Sequence, residues 1–297
     1  MNNCSKIGLG TVQWGMRYGV ANRSGRPEAG EIARILRLAR ESGITLLDTA
    51  QAYGDAESVI GQVGQDTYGW RIVTKIQAIQ NGNFGDREAL ALSDAFLESR
   101  RRLNSSKLYG LLVHNADDLL SASGPRLWET LQTFKAQALV SKVGVSVYEP
   151  EQLGRILDRF PIDLVQLPLN LYDQRFLHEG LLARARRSGV EVHVRSVFLQ
   201  GLLLLPPDQL PDQFSGVRAG HMRFYRACEV SGITPLEASL RFCLTQSEVD
   251  QVIVGCEARE QLAGILLAAS VGGARLPDPG AFAVEDFALV DPRRWVA

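Results

Sequence analysis

The chain has no cysteine pair, no long hydrophobic run and almost no net charge, and each absence removes a class of protein. Cys4, Cys228, Cys243 and Cys256 stand far apart, form no CxxC and sit among Ile, Val, Phe and Leu. They read as reduced thiols packed like small apolar residues, which points to the cytoplasm, and no metal centre is expected. The start, MNNCSKIG, lacks a basic segment followed by an apolar core, and runs such as LQGLLLLPP are too short to span a bilayer. Neither export nor membrane insertion is expected. A formal net charge of -1 removes the long-range attraction that nucleic acid or a membrane surface would need, which leaves small molecules as partners. The oligomeric state is left open. No GxGxxG follows a strand, so a Rossmann-type dinucleotide site is not expected either.

What is present is a rhythm. Hydrophobic residues make up 45% of the chain and charged residues 22%, a balance that buries a large core, and 297 residues suit one barrel or two ordinary domains. Apolar runs suited to buried strands occur at 6–12, 44–48, 71–76, 108–114, 142–147, 163–169, 190–196 and 251–255. Helical periodicity separates them. In PEAGEIARILRLARESG the residues Ile32, Ile35, Leu36 and Ala39 form one face, Pro27 and Glu28 suit the first turn and Gly43 the C-terminal cap. Asp86 suits the N-cap of DREALALSDAFLESRRRL, whose basic end reads as a solvated helix terminus, and Pro150 the first turn of the helix after strand 5. Strands buried on both faces and alternating with helices predict an α/β fold, a (β/α)8 TIM barrel forming one domain over 1–297. Two stretches exceed what a barrel connection needs, 198–225 after strand 7 and the tail from Pro277 to Ala297. Both are candidate lids or binding loops.

Barrels of this kind carry their chemistry at the C-terminal ends of the strands. Strand 2 ends at Asp48 with Tyr53 in the following turn, strand 3 ends near Lys75, and strand 4 ends at His114. Any one of these could be structural: an acid at a strand-to-helix joint caps, a lysine snorkels, a histidine satisfies the core. Four proton-exchanging groups on three consecutive strand ends are harder to explain that way, because a buried Lys or Asp is rarely tolerated without a partner. Asp55, a few residues on, reads as the cap of the next helix. A phenol with an ordinary pKa of about 10 is a reluctant acid, and a nearby ammonium favours its ionisation. Lys75 would thus tune Tyr53, Asp48 would hold Lys75, and neutral His114 would orient a carbonyl. An acid of this type suits hydride addition to a carbonyl, and since no side chain supplies hydride, a nicotinamide is implied.

The same residues resemble the aldo-keto reductase family along nearly the whole chain: LGTVQWG at 9–15, LLDTAQAYGDAESVIG at 46–61, IVTKI at 72–76 and LLVHN at 111–115. The resemblance implies NAD(P)H-dependent, reversible reduction of aldehydes and ketones. It makes Tyr53 the general acid, Lys75 and Asp48 its tuning pair and His114 the carbonyl-orienting group. Gly10 and Thr11, in the matching opening loop, and Asp48 would border the cofactor. Ser146 and Gln166 would hold the carboxamide, with Val147 where the family has Asn. Arg195 occupies the place of the family's aromatic residue that stacks on the nicotinamide, followed by Ser196, Gln200 and Gly201 of the phosphate loop. Gly255, Glu257, Arg259 and Gln261 match the adenosine end, where Glu257 would repel a 2'-phosphate and accept a free ribose hydroxyl. NADP and NAD both stay open as cofactors.

Trp14, Tyr18 and Asn115 would line the substrate side and suit a carbohydrate-derived carbonyl. Two rival readings share the barrel. One is a Schiff-base aldolase or lyase on Lys75, and the other a non-catalytic barrel that senses nicotinamide redox state.

Overall fold

The computed structural model describes residues 3–63, 69–79, 84–178, 180–270 and 274–295. Eight parallel strands pair in sequence order and close on themselves: β1 Ile7–Gly10, β2 Leu46–Asp48, β3 Arg71–Ile76, β4 Leu108–Val113, β5 Val140–Ser146, β6 Leu164–Pro168, β7 Glu191–Arg195 and β8 Gln251–Gly255. The helices are α1 Val12–Gly15, α2 Ala29–Glu41, α3 Ala56–Val63, α4 Asp86–Arg102, α5 Ala116–Leu120, α6 Gly124–Ala136, α7 Pro150–Arg159, α8 Leu181–Arg187, α9 Arg218–Val230, α10 Pro235–Leu244, α11 Arg259–Ser270 and α12 Phe287–Val290.

Two separate apolar cores result. Leu46, Val73, Leu112, Leu164 and Ile253 fill the barrel, and a larger layer joins the outer faces of the strands to the helices. Gly8 makes room for the inner set, since a Cβ there would meet Ile253 and Leu46 side-chain atoms at 2.7 Å. The N-terminal end of the barrel is closed by a polar cluster. Glu191 accepts hydrogen bonds from His193 Nε2 at 2.7 Å and Tyr109 Oη at 2.6 Å, and also pairs with Lys142. Burial raises the Glu191 carboxyl, but these donors outweigh it and hold the group well below the usual carboxylate range.

The expected elements form with adjusted edges. The α2 face is Ile32, Ile35, Leu36 and Ala39, and Gly43 follows the helix at φ +81, but Glu28 is the N-cap, so Pro27 lies outside the first turn. Strand 1 stops at Gly10 because Thr11 donates both its N–H and its Oγ1 to the Asp48 carbonyl at 3.0 Å, and Val12 then starts α1. Gly85, not Asp86, caps α4, with the Glu88 carboxylate accepting the Gly85 N–H at 2.9 Å.

Two charged side chains take unexpected partners. Asp55 turns its carboxylate to Arg26 at 2.8 Å, and its backbone carbonyl accepts the Val59 N–H in α3. Arg102, in the basic end of α4, is not simply solvated. It neutralises buried Glu57 at 2.6 Å, and Glu57 also accepts from Thr74 Oγ1 at 2.6 Å, which ties α3 and α4 to β3.

Candidate active site

The strand register places one functional group on each side of the next. Gly10 lies beside Asp48 on β2 and beside Gly255 on β8, Ser146 lies opposite Gln166, and Arg195 lies opposite Pro168. All are at or near the C-terminal ends of their strands, the end at which a cavity of about 820 Å³ opens. Gly10, Thr11, Tyr18, Asp48, Tyr53, His114, Arg195, Ser196, Gln200, Gly201, Gly255, Glu257 and Gln261 all border it.

Beneath the cavity lies a fully partnered ion pair. Lys75 Nζ donates to Asp48 Oδ1 and Oδ2, each at 2.8 Å, and to the Thr49 carbonyl at 2.9 Å, and Gln166 Nε2 donates to Asp48 Oδ1 at 2.7 Å. Burial pulls the Lys75 ammonium below its ordinary value and the Asp48 carboxylate opposes this. The ammonium sits 5.0 Å from the centre of the Tyr53 ring, and the rings of Tyr53 and His114 meet edge to face at 5.9 Å. The expected tuning of Tyr53 is reversed here. Burial raises its phenol above the ordinary value, Asp48 raises it further, and the cation that acts downward is Arg195. His114 is lowered to about 4 by burial and by the charges of Lys75 and Arg195, so it is neutral at pH 7 as expected.

Tyr53 is held by close backbone packing. A Cβ on Gly15 would fall 1.8 Å from the Tyr53 carbonyl, and Gly54, at φ +58, lies against the Gly15 carbonyl. Across the mouth, Ser196, Leu199 and Gln200 all have positive φ, at 60, 48 and 55°, so the loop after β7 is strained where it borders the cavity.

Three expected site residues are elsewhere. Trp14 is wholly buried and donates its indole N–H to the Cys256 carbonyl at 3.1 Å, because α1 folds back under the mouth. Asn115 caps α5, accepting the Asp117 N–H at 3.3 Å, so its amide is spent locally. Arg259 opens α11 with its N–H on Glu31 at 2.5 Å and its side chain exposed beside Glu260, outside the cavity lining. Ser146 and Gln166 lie buried below the mouth, and Ser146 Oγ and Gln166 Oε1 have no hydrogen-bond partner among the described residues. Val147 is packed in the core.

Tyr148, Gln13 and Glu260 are among the mouth residues that the sequence reading does not name. Tyr148 lines the cavity and stacks on Arg195, whose Cζ lies 4.0 Å from the ring centre. Its sequence signal is an aromatic residue two positions after Ser146, just past the end of β5. Gln13 also lines the cavity, packs against Gly255 and has an unpartnered Oε1. A second cleft of about 630 Å³, lined by Trp70, Arg100, Arg101 and Lys107 among others, precedes β3 and β4 and is remote from these groups. Among the described residues there is no metal-binding cluster and no helix long and apolar enough to cross a membrane.

Comparison with known proteins agrees with this geometry. The chain is 28% identical over 207 residues to the aldo-keto reductase YhdN of Bacillus subtilis (strain 168), covering 67% of this chain and 60% of that relative. It is 24% identical over 286 residues to the uncharacterized oxidoreductase YqkF of the same organism, covering 87% and 85%. The fold superposes on aldo-keto reductase AKR11C1 from Bacillus halodurans (holo form) with a TM-score of 0.75 at 20% identity, covering 96% and 95% of the two chains. The Aldo/keto reductase family model matches residues 6–272, and the chain belongs to that family.

Proposed function

We propose that this protein is a nicotinamide-dependent oxidoreductase that reduces an aldehyde or ketone, reversibly, with Tyr53 as general acid. The observation that carries this reading is the convergence of Tyr53 and His114 in one cavity above the Lys75–Asp48 pair. The cofactor reading is supported by a pair of orphaned buried atoms among several, Ser146 Oγ and Gln166 Oε1, which are adjacent in register. A carboxamide is complementary to them, because its C=O accepts from a hydroxyl and its NH2 donates to an amide oxygen. Gly10 and Gly255 are paired on β1 and β8, where a Cβ on Gly255 would run into the Gln13 side chain that lines the cavity.

When bound, the reduced cofactor supplies a hydride to the carbonyl carbon. The Tyr53 hydroxyl donates its proton to the oxygen as negative charge develops there, and His114, neutral, offers a ring N–H to the same oxygen. Asp48, itself held by Gln166, fixes the Lys75 ammonium beneath the Tyr53 ring as part of a neutral pair, with 5.0 Å between the ammonium and the ring centre. Because Lys75 is wholly buried with three hydrogen bonds made, it presents nothing to an incoming carbonyl, which disfavours a Schiff-base lyase.

For the adenosine end, Glu257 and Glu260 line the cavity while Arg259 does not, which supports NADH over NADPH. For the substrate, Tyr18 and Tyr148 take the place expected of Trp14 as aromatic walls with polar tips, and a polyhydroxylated, carbohydrate-derived aldehyde or ketone suits them.

The test has two parts. Fluorescence titration with NADH and NADPH should show tighter NADH binding, and a carbonyl screen should then find aldoses or related sugars turned over in preference to hydrophobic aldehydes. Tyr53→Phe should lower kcat/KM by about 10³-fold or more with the NADH Kd within about twofold of wild type. A Tyr53→Phe variant reducing carbonyls at near wild-type rate would refute the assigned role. Cofactor binding without turnover of any carbonyl by the wild type would favour the sensor reading instead.

A further inference from the structure

The seventh strand ends on a cation without a counter-charge. The Arg195 guanidinium lies 3.3 Å from the Val147 carbonyl and 3.4 Å from Ser196 Oγ, and no carboxylate pairs with it among the described residues. Its support is the Tyr148 ring. A second guanidinium, that of Arg293 from the C-terminal tail, lies 3.7 Å from the same ring centre. Two guanidinium groups this close to one centroid would collide on a single face, so the ring is held between them. The two differ in charge balance. Arg293 is neutralised by Asp291 at 2.6 Å and Glu149 at 3.3 Å, whereas Arg195 is not neutralised.

The backbone around Arg195 is fixed as well. Its carbonyl accepts the Leu169 N–H at 3.1 Å, the Ser196 carbonyl accepts from Asn170 Nδ2 at 3.0 Å, and Ser196 has φ +60. A half-buried, unpaired charge held this firmly is costly in a folded protein, and its persistence at a cavity asks what it acts on.

Of the ionised groups bordering the cavity, Asp48 is neutralised by Lys75, and Glu257 and Glu260 sit on the α11 side with Gln261 and Gly264. Arg195 is therefore the uncompensated charge beside Tyr53 and His114. It also lies one strand from Gln166, whose orphaned Oε1 marks the carboxamide position in the reading above. The reduced nicotinamide ring is neutral and the oxidised ring carries a full positive charge. A fixed cation at the same end of the cavity acts on the second and is nearly indifferent to the first.

Resting on that reading, we propose that Arg195, held by the Tyr148 ring and the tail residue Arg293, makes the site discriminate against oxidised nicotinamide. The protein thereby loads NADH, expels NAD+ and is set for carbonyl reduction. The same field is already visible on the protein's own groups, since Arg195 opposes protonation of His114 and draws the Tyr53 phenol downward.

The test is a binding measurement, independent of turnover. NADH and NAD+ are titrated by quenching of tryptophan fluorescence in wild type, Arg195→Gln, Arg195→Tyr and Arg195→Lys. In both neutral variants the ratio of Kd for NAD+ to Kd for NADH is expected to fall about tenfold. That equals about 1.4 kcal/mol, the repulsion of two unit charges about 6 Å apart at an effective dielectric constant of about 40. Arg195→Lys is expected to keep most of the ratio. Arg195→Tyr retains a planar group on the Tyr148 ring, so the result does not depend on the folding of one variant. An unchanged ratio in a neutral variant with wild-type circular dichroism overturns the proposal. So does an equal weakening of both forms, which would assign the guanidinium to a part of the cofactor common to both. Absence of any nicotinamide binding by the wild type would instead sink the function proposed above.

Discussion

Lys75 spends its three N–H donors on Asp48 and the Thr49 carbonyl, so the phenol above it feels a neutral pair and not a free cation. The residue types at 48, 53, 75 and 114 were legible from sequence because each breaks an apolar strand end with a group that is costly to bury unpaired. The direction of the Tyr53 shift was not legible, since it depends on how far burial outweighs charge, and burial is a property of the folded mouth. His114 gives a test at this scale. Its pKa falls from 6.5 to about 4 on folding, so between those values the unfolded chain binds the extra proton. Stability assigned to neutral His114 is therefore complete above pH 6.5 and is lost as pH drops towards 4. Urea unfolding of wild type and His114→Gln at pH 7 and pH 4.5 should show the wild type losing the more, by about 1–2 kcal/mol. Equal losses in the two proteins would mean that His114 titrates normally.

Secondary structure was readable wherever one residue set fixes both pattern and boundary. In α10, Thr234 accepts the Glu237 N–H at 3.2 Å while Glu237 accepts from the Thr234 N–H at 2.8 Å, with Pro235 opening the helix. Boundaries moved where a tertiary contact decided them, as when Thr11 bonds the Asp48 carbonyl and ends β1. Trp14 was misplaced for the same reason: its aromatic character suggested a pocket, but α1 turns its indole to the Cys256 carbonyl. The turn that carries Tyr53 depends on α1 directly, through Gly15. A methyl group there would lie 1.8 Å from the Tyr53 carbonyl and 2.6 Å from the Ala56 nitrogen, both backbone atoms that cannot swing aside. Gly15→Ala should therefore cost about 3 kcal/mol in urea denaturation and, by displacing Tyr53, lower kcat more than it weakens NADH binding. A variant with wild-type midpoint and kcat would show that α1 and the turn shift together at no cost.

The barrel as a whole follows from eight strands buried on both faces and helices buried on one, a pattern local enough to read along the chain. The tail is different, because what it does depends on partners far away along the chain, as far as Glu149 is from Arg293. Trp295 meets Phe214 edge to face at 4.7 Å, Val290 is buried, and Val284 donates its N–H to the Tyr172 carbonyl at 2.9 Å. Glu149 then joins Arg175 at 2.7 Å and Arg293 at 3.3 Å, linking the start of α7, the segment after β6 and the tail around the Tyr148 ring. No periodicity encodes such contacts, since each is a single group meeting another far along the chain. Removing 286–297 would leave the barrel strands and their register untouched, expose Phe214 and free one face of Tyr148. The loss of buried apolar area predicts a destabilisation of about 3 kcal/mol, with far-ultraviolet circular dichroism preserved. Release of the ring that supports Arg195 predicts that the ratio of Kd for NAD+ to Kd for NADH falls severalfold, towards that of Arg195→Gln. A truncated protein that matched wild type in both urea midpoint and Kd ratio would mean that the tail only lies on the surface, and that Tyr148 keeps Arg195 in place without it.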